Sequence, residues 1–447
     1  MKKLSNPLMS ASLLFAVLWL PPVEGADLME IYRLSLGADP SYRAAGFEHQ
    51  ASREVLTQAW ADYRPAVTFD YDEIDTTQDI ISSENSSIPV GEDASFPTST
   101  WTLTVTQPLF RYANYVRIGQ AKDELEQADA EQVKAQQDLL LRTAEVYLAV
   151  LTAEDAVTFI EAERSAVEKQ LELARAQEDA RTGRLVDRLD AEARMATVEA
   201  DLAYADVAAR DAKQAVFELT GQVPETLASL GNALELVAPI PSDERQWLEL
   251  ANKQNPGLVF QRHAVAVASA DIKRQNAGHM PTLDLVYTDS NRDTGSTLFG
   301  GGSNVQTQEL MLSLNLPLYL GGSVSSKSRQ AIAKHSSALE ELTRLARESQ
   351  RQTLDAYWGV TSAIKRVDSL GLALRAQQET LKLKQLGFES GLNTVLTVLD
   401  AERDLSSVRK DYAKARYDYL LNGLRLKALV GALIEDDLQA INRLLQG

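Results

Sequence analysis

The four histidines, His49, His263, His279 and His335, are the side chains best suited to metal or acid–base chemistry, and they are scattered along the chain. None stands in the His-Glu-x-x-His spacing that puts two imidazoles on one face of a zinc-binding helix. Gly300-Gly301-Gly302 lacks the Gly-Lys-Ser/Thr that cradles a phosphate, and there is neither a Gly-x-Ser-x-Gly elbow nor any cysteine. The expectation is a protein that is not an enzyme and has no cofactor or metal. What recurs instead is a carboxylate in a repeated setting, Asp187-Arg-Leu-Asp190-Ala-Glu in one half and Thr397-Val-Leu-Asp400-Ala-Glu in the other. Asp190 follows Tyr147 by 43 residues and Asp400 follows Tyr357 by 43; Gly221 and Gly431 then follow by 31 each. Equal spacings in two halves mean a duplicated unit.

The elements that carry these carboxylates read as two long helical hairpins. Proline is absent from 114–180 and from 325–386, and a helix of either length is on the order of 100 Å long. Ile118, Ala121, Leu125 and Ala128, then Leu140, Ala144, Tyr147 and Leu151, form narrow apolar seams of the coiled-coil kind. Ile364, Val367, Gly371, Leu374, Gln378 and Leu381 keep that spacing in the second half. The turns fall at Arg181-Thr182-Gly183 and Phe388-Glu389-Ser390-Gly391, with glycine where a helix must stop. Counted from Tyr147 and Tyr357, the two glycines lie 36 and 34 residues on, so the first turn is expected to be shifted by two residues.

Ahead of each hairpin stand a broken helix and two strands. Pro40 to Pro65 and Pro256 to Pro281 are both 25 residues, and Pro40 suits a first helical turn. Val67, Phe69 and Tyr71 alternate with polar residues, as do Trp101, Leu103 and Val105; Leu283, Leu285 and Tyr287; and Leu310, Leu312, Leu314 and Leu316. That is the period of strands with two unlike faces. A soluble sandwich core is one reading of such strands, although a compact domain has no use for rods of this length. Four strands cannot close a barrel and would leave two open edges, which lipid does not tolerate. Three chains would supply twelve strands, with the apolar faces meeting lipid and the polar faces lining water.

Lys2, Lys3 and an apolar run at 8–20 followed by Pro21-Pro22 read as a secretory signal peptide over 1–25. The run is about 13 residues, where a spanning helix needs roughly 20. The domain reading is then 26–221 for a first repeat, with strands near 66–78 and 98–108 and a hairpin over 114–221. A connecting strap covers 222–246, and a second repeat covers 247–431, with strands near 282–292 and 305–317 and a hairpin over 325–431. A short C-terminal segment, 432–447, completes the chain. The Ser-rich run from Ser82 to Ser87 reads as a solvated loop, and Gly295 to Gly302 as the loop of the second strand pair. A net charge of −18 disfavours nucleic acid, which binds through basic patches.

Several stretches add a resemblance to this reading. They are Asn255-Pro256, His279-Met280-Pro281-Thr282-Leu283-Asp284-Leu285, Leu316-Pro317-Leu318-Tyr319-Leu320-Gly321-Gly322, the run from Gly391 to Asp400, and the run from Ala413 to Asn422. In this order and spacing the sequence resembles the TolC-like outer membrane factors. The resemblance implies a mainly α fold with a small β part, in which a trimer forms a twelve-stranded transmembrane β-barrel continued by a periplasmic α-helical coiled-coil barrel. It implies an exit duct in the outer membrane lipid of a Gram-negative cell, working with a periplasmic adaptor (a membrane fusion protein) and an inner membrane transporter in drug efflux or type I secretion. It also implies an aperture at the periplasmic end, where Asp400 and Thr397 match two ring positions that are both aspartate in the family. Asp187, with Asp190 nearby, matches an aspartate that locks the closed end. Its expected tyrosine and arginine partners are here Phe388 and Asn393, so one of Arg181, Arg184 and Arg188 is expected to supply the charge. The tips Thr182, Gly183, Glu389, Ser390 and Gly391 would be the adaptor-docking surface. A secreted coiled-coil adhesin or adaptor without channel activity is the alternative, and it leaves the two-faced strands without a purpose.

Overall fold

The structure, a computed structural model, describes residues 25–79, 81–82, 93–231, 234–296 and 301–446. Residues 1–24 of the signal-peptide reading, all of the Ser-rich loop except Ser82, and residues 297–300 of the Gly-rich loop lie outside the described residues.

Helices α1 (Leu28–Ala38) and α2 (Pro40–Ala61) break where the sequence places the break. Asp39 ends the first and caps the second, accepting from the Tyr42 N–H at 2.7 Å, and Pro40 fills the first turn, where no amide donor is needed. Strands β1 (Ala66–Asp79) and β2 (Asp93–Phe110) lead to α3 (Tyr112–Asp179), 68 residues long, which returns as α4 (Leu185–Thr220). The strap holds a two-residue strand β3 (Ser229–Leu230). The second repeat has α5 (Glu244–Gln254), α6 (Pro256–Asn276), β4 (Thr282–Thr294), β5 (Ser303–Asn315), α7 (Ser323–Glu389) and α8 (Val395–Leu429). The short helix α9 (Glu435–Asn442) and strand β6 (Leu445–Gln446) follow. Both hairpins stop at a left-handed glycine, Gly221 (φ 71°) and Gly431 (φ 73°), which L side chains rarely accommodate.

The structure moves several of the expected bounds, β4 running on to Thr294 and β5 starting at Ser303 among them. Strand β2 begins at Asp93, five residues before the expected 98, because hairpin pairing with β1 continues to Asp79↔Asp93. It also runs past Pro108 to Phe110: proline has no N–H to give the ladder, and the register slips there in a bulge instead of ending. Strand β5 stops at Asn315, short of the expected 317. The strap ends before Glu244, where Asp243 caps α5, and it is pinned down: β3 pairs with β6, and the Val237 N–H donates to the Tyr419 hydroxyl at 2.9 Å.

The four long strands form one antiparallel sheet in the order β1-β2-β4-β5, so β1 and β5 are its edges. Register puts Val67, Phe69 and Tyr71 opposite Val105, Leu103 and Trp101, and Tyr287, Leu285 and Leu283 opposite Leu310, Leu312 and Leu314. Since Val105 also faces Tyr287, all twelve residues share one face. The other face carries Thr68, Thr104, Thr288 and Glu309 in one row and Asp70, Thr102, Ser290 and Thr307 in the next. The apolar band is staggered: Leu103 is central in the first hairpin, but the row through central Leu285 crosses β2 at Gln107. A slip of four residues is about 13 Å along the strand, the inclination that strands of a closed barrel need.

Below the sheet α2 packs on α3, α3 on α6 and α6 on α7; lower still α4 packs on α3, α3 on α8 and α8 on α7. Leu28, Ile31, Tyr32, Leu139, Leu140, Tyr147 and Leu438 are fully buried where α1, α3 and α9 meet. There the Tyr147 hydroxyl donates to the Ala228 carbonyl at 2.7 Å, tying the strap to the hairpin. Arg111 grips Asp284 with two hydrogen bonds of 2.8 and 2.7 Å, joining the base of β4 to the start of α3.

Candidate functional site

Both hairpins turn through the same motif. The Thr182 N–H bonds the Gln177 carbonyl (2.9 Å) and the Arg181 N–H the Glu178 carbonyl (2.8 Å); Leu392 to Gly387 (2.7 Å) and Gly391 to Phe388 (2.9 Å) repeat the pair. These are Schellman turns, whose pivotal residue is left-handed. That residue is Gly391 (φ 73°) in the second hairpin but Arg181 (φ 57°) in the first. The expected two-residue shift is therefore wrong. α3 and α7 end, and α4 and α8 begin, at equivalent residues; only the glycine has moved.

Gly183 has a different task. A Cβ there would lie 2.8 Å from the Gln177 Cβ, because the chain passes close to the last turn of α3. In the second hairpin the glycine is on the other partner: Asn393 lies against Gly387, whose added Cβ would collide with the Asn393 amide. Gln177 and Gly183 thus correspond to Gly387 and Asn393, the same close approach with the small residue exchanged. Asn393 also donates its amide to the Lys384 carbonyl at 3.0 Å, tying the start of the second turn's exit back to α7.

The carboxylates sit just beyond these turns. Asp187 accepts two hydrogen bonds from Arg184, at 3.0 and 2.7 Å, and this guanidinium holds its carboxyl below the usual range. Of the three candidate arginines, Arg184 is the one that reaches Asp187, within its own hairpin. Arg188 bonds Glu178 (2.6 Å) and Glu192 (2.8 Å), and with Arg175 on Glu192 (3.2 Å) it staples α3 to α4. The Arg181 and Asp190 side chains make no hydrogen bond or ion pair among the described residues. Asp400 lies 3.3 Å from Arg403, whose stronger contacts at 2.9 and 3.1 Å go to Asp404. Thr397 is tied up locally, since its hydroxyl accepts from the Thr394 N–H at 2.9 Å while Thr394 accepts from the Thr397 N–H at 3.4 Å. That capping box starts α8 and gives Thr397 a structural task of its own. Phe388 packs against the cluster of Val167, Leu171, Ala191, Val395 and Leu399 that joins the two hairpins. Thr182, Gly183, Glu389, Ser390 and Gly391 form the tips, and all except half-buried Gly183 are exposed.

Sequence reasoning missed a polar layer above the tips. Buried Glu163 of α3 pairs with Arg194 of α4, and its charge reaches Glu402 of α8. Burial raises the Glu402 carboxyl pKa, while Gln385 of α7 donates to it at 3.1 Å. Higher up, the Tyr417 hydroxyl donates to Asp155 at 2.6 Å, joining α8 to α3. The signal was present: Glu163 occupies a seam position between Ile160 and Val167. Among the described residues no group of three or more His, Asp or Glu could hold a metal ion, and no helix is long and apolar enough to cross a membrane.

Two duplicated rods below a four-stranded, two-faced sheet with open edges define a class of channel subunit, the TolC-like outer membrane factor. The family model described as outer membrane efflux protein matches residues 31–222 and 247–432, and the chain belongs to that family. It is 27% identical over 446 residues to the outer membrane protein TolC of Vibrio cholerae, covering 99% of this chain and 98% of the relative. It is 26% identical to the alkaline protease secretion protein AprF of Pseudomonas aeruginosa, over 93% of this chain and 86% of that one. Among solved structures, the CmeC outer membrane channel of Campylobacter jejuni has a TM-score of 0.79 at 11% identity, covering 100% and 98% of the two chains. The chain is thus an outer membrane efflux or secretion channel protein and not an enzyme.

Proposed function

We propose that three copies form a duct whose twelve strands cross the outer membrane and whose helices wall a passage through the periplasm. The observation that carries this is the sheet itself, apolar on one face and polar on the other, with β1 and β5 left open at its edges. Lipid leaves no such edge unpaired, so neighbouring chains must complete it. A periplasmic adaptor meets the tips at Thr182, Gly183, Glu389, Ser390 and Gly391, and an inner membrane transporter supplies the energy. The duct is gated where the hairpins coil inward. Asp400 of each chain forms a ring there that attracts cations and repels anions. Asp187 and Arg184 stiffen the first hairpin beside it, and apolar packing of Phe388 stands in for a polar lock. The relative named for alkaline protease secretion and the efflux description of the family leave protein and small-molecule cargo both open to this duct.

The test is a gene deletion, profiled for susceptibility to drugs and bile salts and for export of large proteins. Complementation is scored beside heat-modifiable trimers in outer membrane fractions. Restored export with a trimer supports the reading; a detergent-free soluble monomer ends it. In bilayers, Asp400→Ala is expected to reduce cation preference; unchanged preference removes Asp400 from the ring.

A further inference from the structure

The duplication makes each half a template for the other, and at one place in the helical part the match breaks. Counted from Pro40 and Pro256 and from Tyr147 and Tyr357, α1, α2 and α3 correspond to α5, α6 and α7. Where α1 lies on α3, Tyr32 and Leu139 are fully buried, and the Gln136 amide hydrogen-bonds the Tyr32 hydroxyl. Their counterparts are Leu248, Ser349 and Ala346, each smaller than the residue it stands for. Between α5, α6 and α7 these exchanges leave a cavity of about 570 Å³.

Two further exchanges bring charge to it. Arg262 stands where the first half has Gly46, and Arg347 where it has Gln137; both line the cavity beside Leu248, Leu258 and Leu342. Oxygens of Asn252, near the end of α5, hold the Arg262 guanidinium in place. The Arg347 side chain makes no hydrogen bond or ion pair among the described residues, whereas Gln137 is buried and donates to the Leu433 carbonyl at 3.4 Å. Glu249 also lines the cavity and pairs with neither arginine, so the walls carry one net positive charge. Ser349 is buried there, and its hydroxyl has no hydrogen-bond partner among the described residues. Protein interiors are close-packed and their polar groups paired, so an unfilled space with unpaired groups, in a half whose twin is filled at the same place, is built for an occupant.

We propose that this cavity binds a small monocarboxylate with an apolar body. The leucines and Ala346 receive the body, which leaves water as it enters. Arg347 takes the carboxylate, whose two oxygens match the planar fork of a guanidinium, with Arg262 fixed beside the same space. A neutral ligand of the same shape would leave Arg347 unpaired. Glu249 repels a second negative charge, which selects against dicarboxylates and phosphate dianions. The first half, filled by Tyr32, Gln136 and Leu139, has no such site.

The cavity is bounded by one chain, so its ligand is independent of the duct proposed above. The probe is N-acetyl-leucyl-leucine, one carboxylate on an apolar body, compared with its neutral amide by equilibrium dialysis against the full-length detergent-solubilised protein. The acid is expected to bind about tenfold more tightly than the amide, by a margin that narrows as salt is added. Arg347→Gln, at an exposed position, is expected to abolish that margin. Ala346→Gln with Ser349→Leu imports the packing of the first half and is expected to abolish binding of both probes, with helical circular dichroism unchanged. Should the filled variant fail to fold, Arg347→Gln still decides. Acid and amide binding alike, a margin that survives Arg347→Gln, binding that survives in the filled variant, or no binding of the acid overturns the site and leaves the duct untouched.

Discussion

At the scale of single residues, the two turns are one motif solved twice. Arg181 adopts a conformation that costs a residue with a Cβ on the order of 1 kcal/mol. Arg181→Gly should therefore raise resistance to urea by about that amount, followed by circular dichroism of the detergent-solubilised protein. If the same variant loses export, Arg181 serves the docking surface and the strain is retained for function. Gly183→Ala should cost about 1–3 kcal/mol, because its Cβ meets Gln177. Adding Gln177→Gly should recover part of that loss, since it recreates the arrangement of Gly387 and Asn393. Two carboxylates give opposite pH dependences. The Asp187 pKa is lowered by Arg184, so its contribution is complete above the ordinary carboxylate pKa and is lost as pH falls through the lower folded value. The Glu402 pKa is raised by burial, so ionisation opposes packing of the hairpins as pH rises from the ordinary value through the folded one. Glu402→Gln should then slow amide exchange in α7 and α8 at neutral pH and leave it unchanged in acid.

At the scale of elements, the glycines that end the hairpins differ in what they touch. Gly221 has open space around it and needs only its left-handed backbone, so Gly221→Ala should cost about 1 kcal/mol. Gly431 has the same backbone, but a Cβ would run into the Gln254 carbonyl at the end of α5. Gly431→Ala should be the more damaging change, read as a lower yield of folded protein in the outer membrane. These elements were legible in the sequence because the repeat spacing, the proline punctuation and the two periods of 3.5 and 2 all survive translation into backbone. What was not legible depends on backbone hydrogen bonding that residue type and spacing do not specify. Residue type does not say that Arg181 turns left-handed; the turn's hydrogen bonds to the Gln177 and Glu178 carbonyls go with it. Nor does spacing tell Thr397 in a capping box from Thr397 at a pore. The turn position was misread by following the glycine, when the Schellman geometry follows the ends of the helices.

At the scale of the whole molecule, the apolar band decides which side of the sheet meets lipid, and adjacent residues of β5 give a paired test. Leu312 faces the band with Leu285 and Leu103, whereas Met311 shares the other face with Val286, Thr106 and Ala66. In a lipid-embedded barrel, arginine on the outer face costs about 2–4 kcal/mol near the bilayer midplane, while residues facing the lumen tune selectivity. Leu312→Arg is thus expected to deplete heat-modifiable trimer, and Met311→Arg to leave it intact while moving the reversal potential in bilayers towards anions. The movement has a definite sign because that wall already holds Asp70, Asp72 and Glu309 against Arg292, an excess of negative charge beside the passing ion. Equal tolerance of the two arginines would mean that neither face of the sheet meets lipid, and the barrel reading would fall with it. Assembly lost through Met311→Arg alone would mean that the faces are reversed and the leucines line the passage.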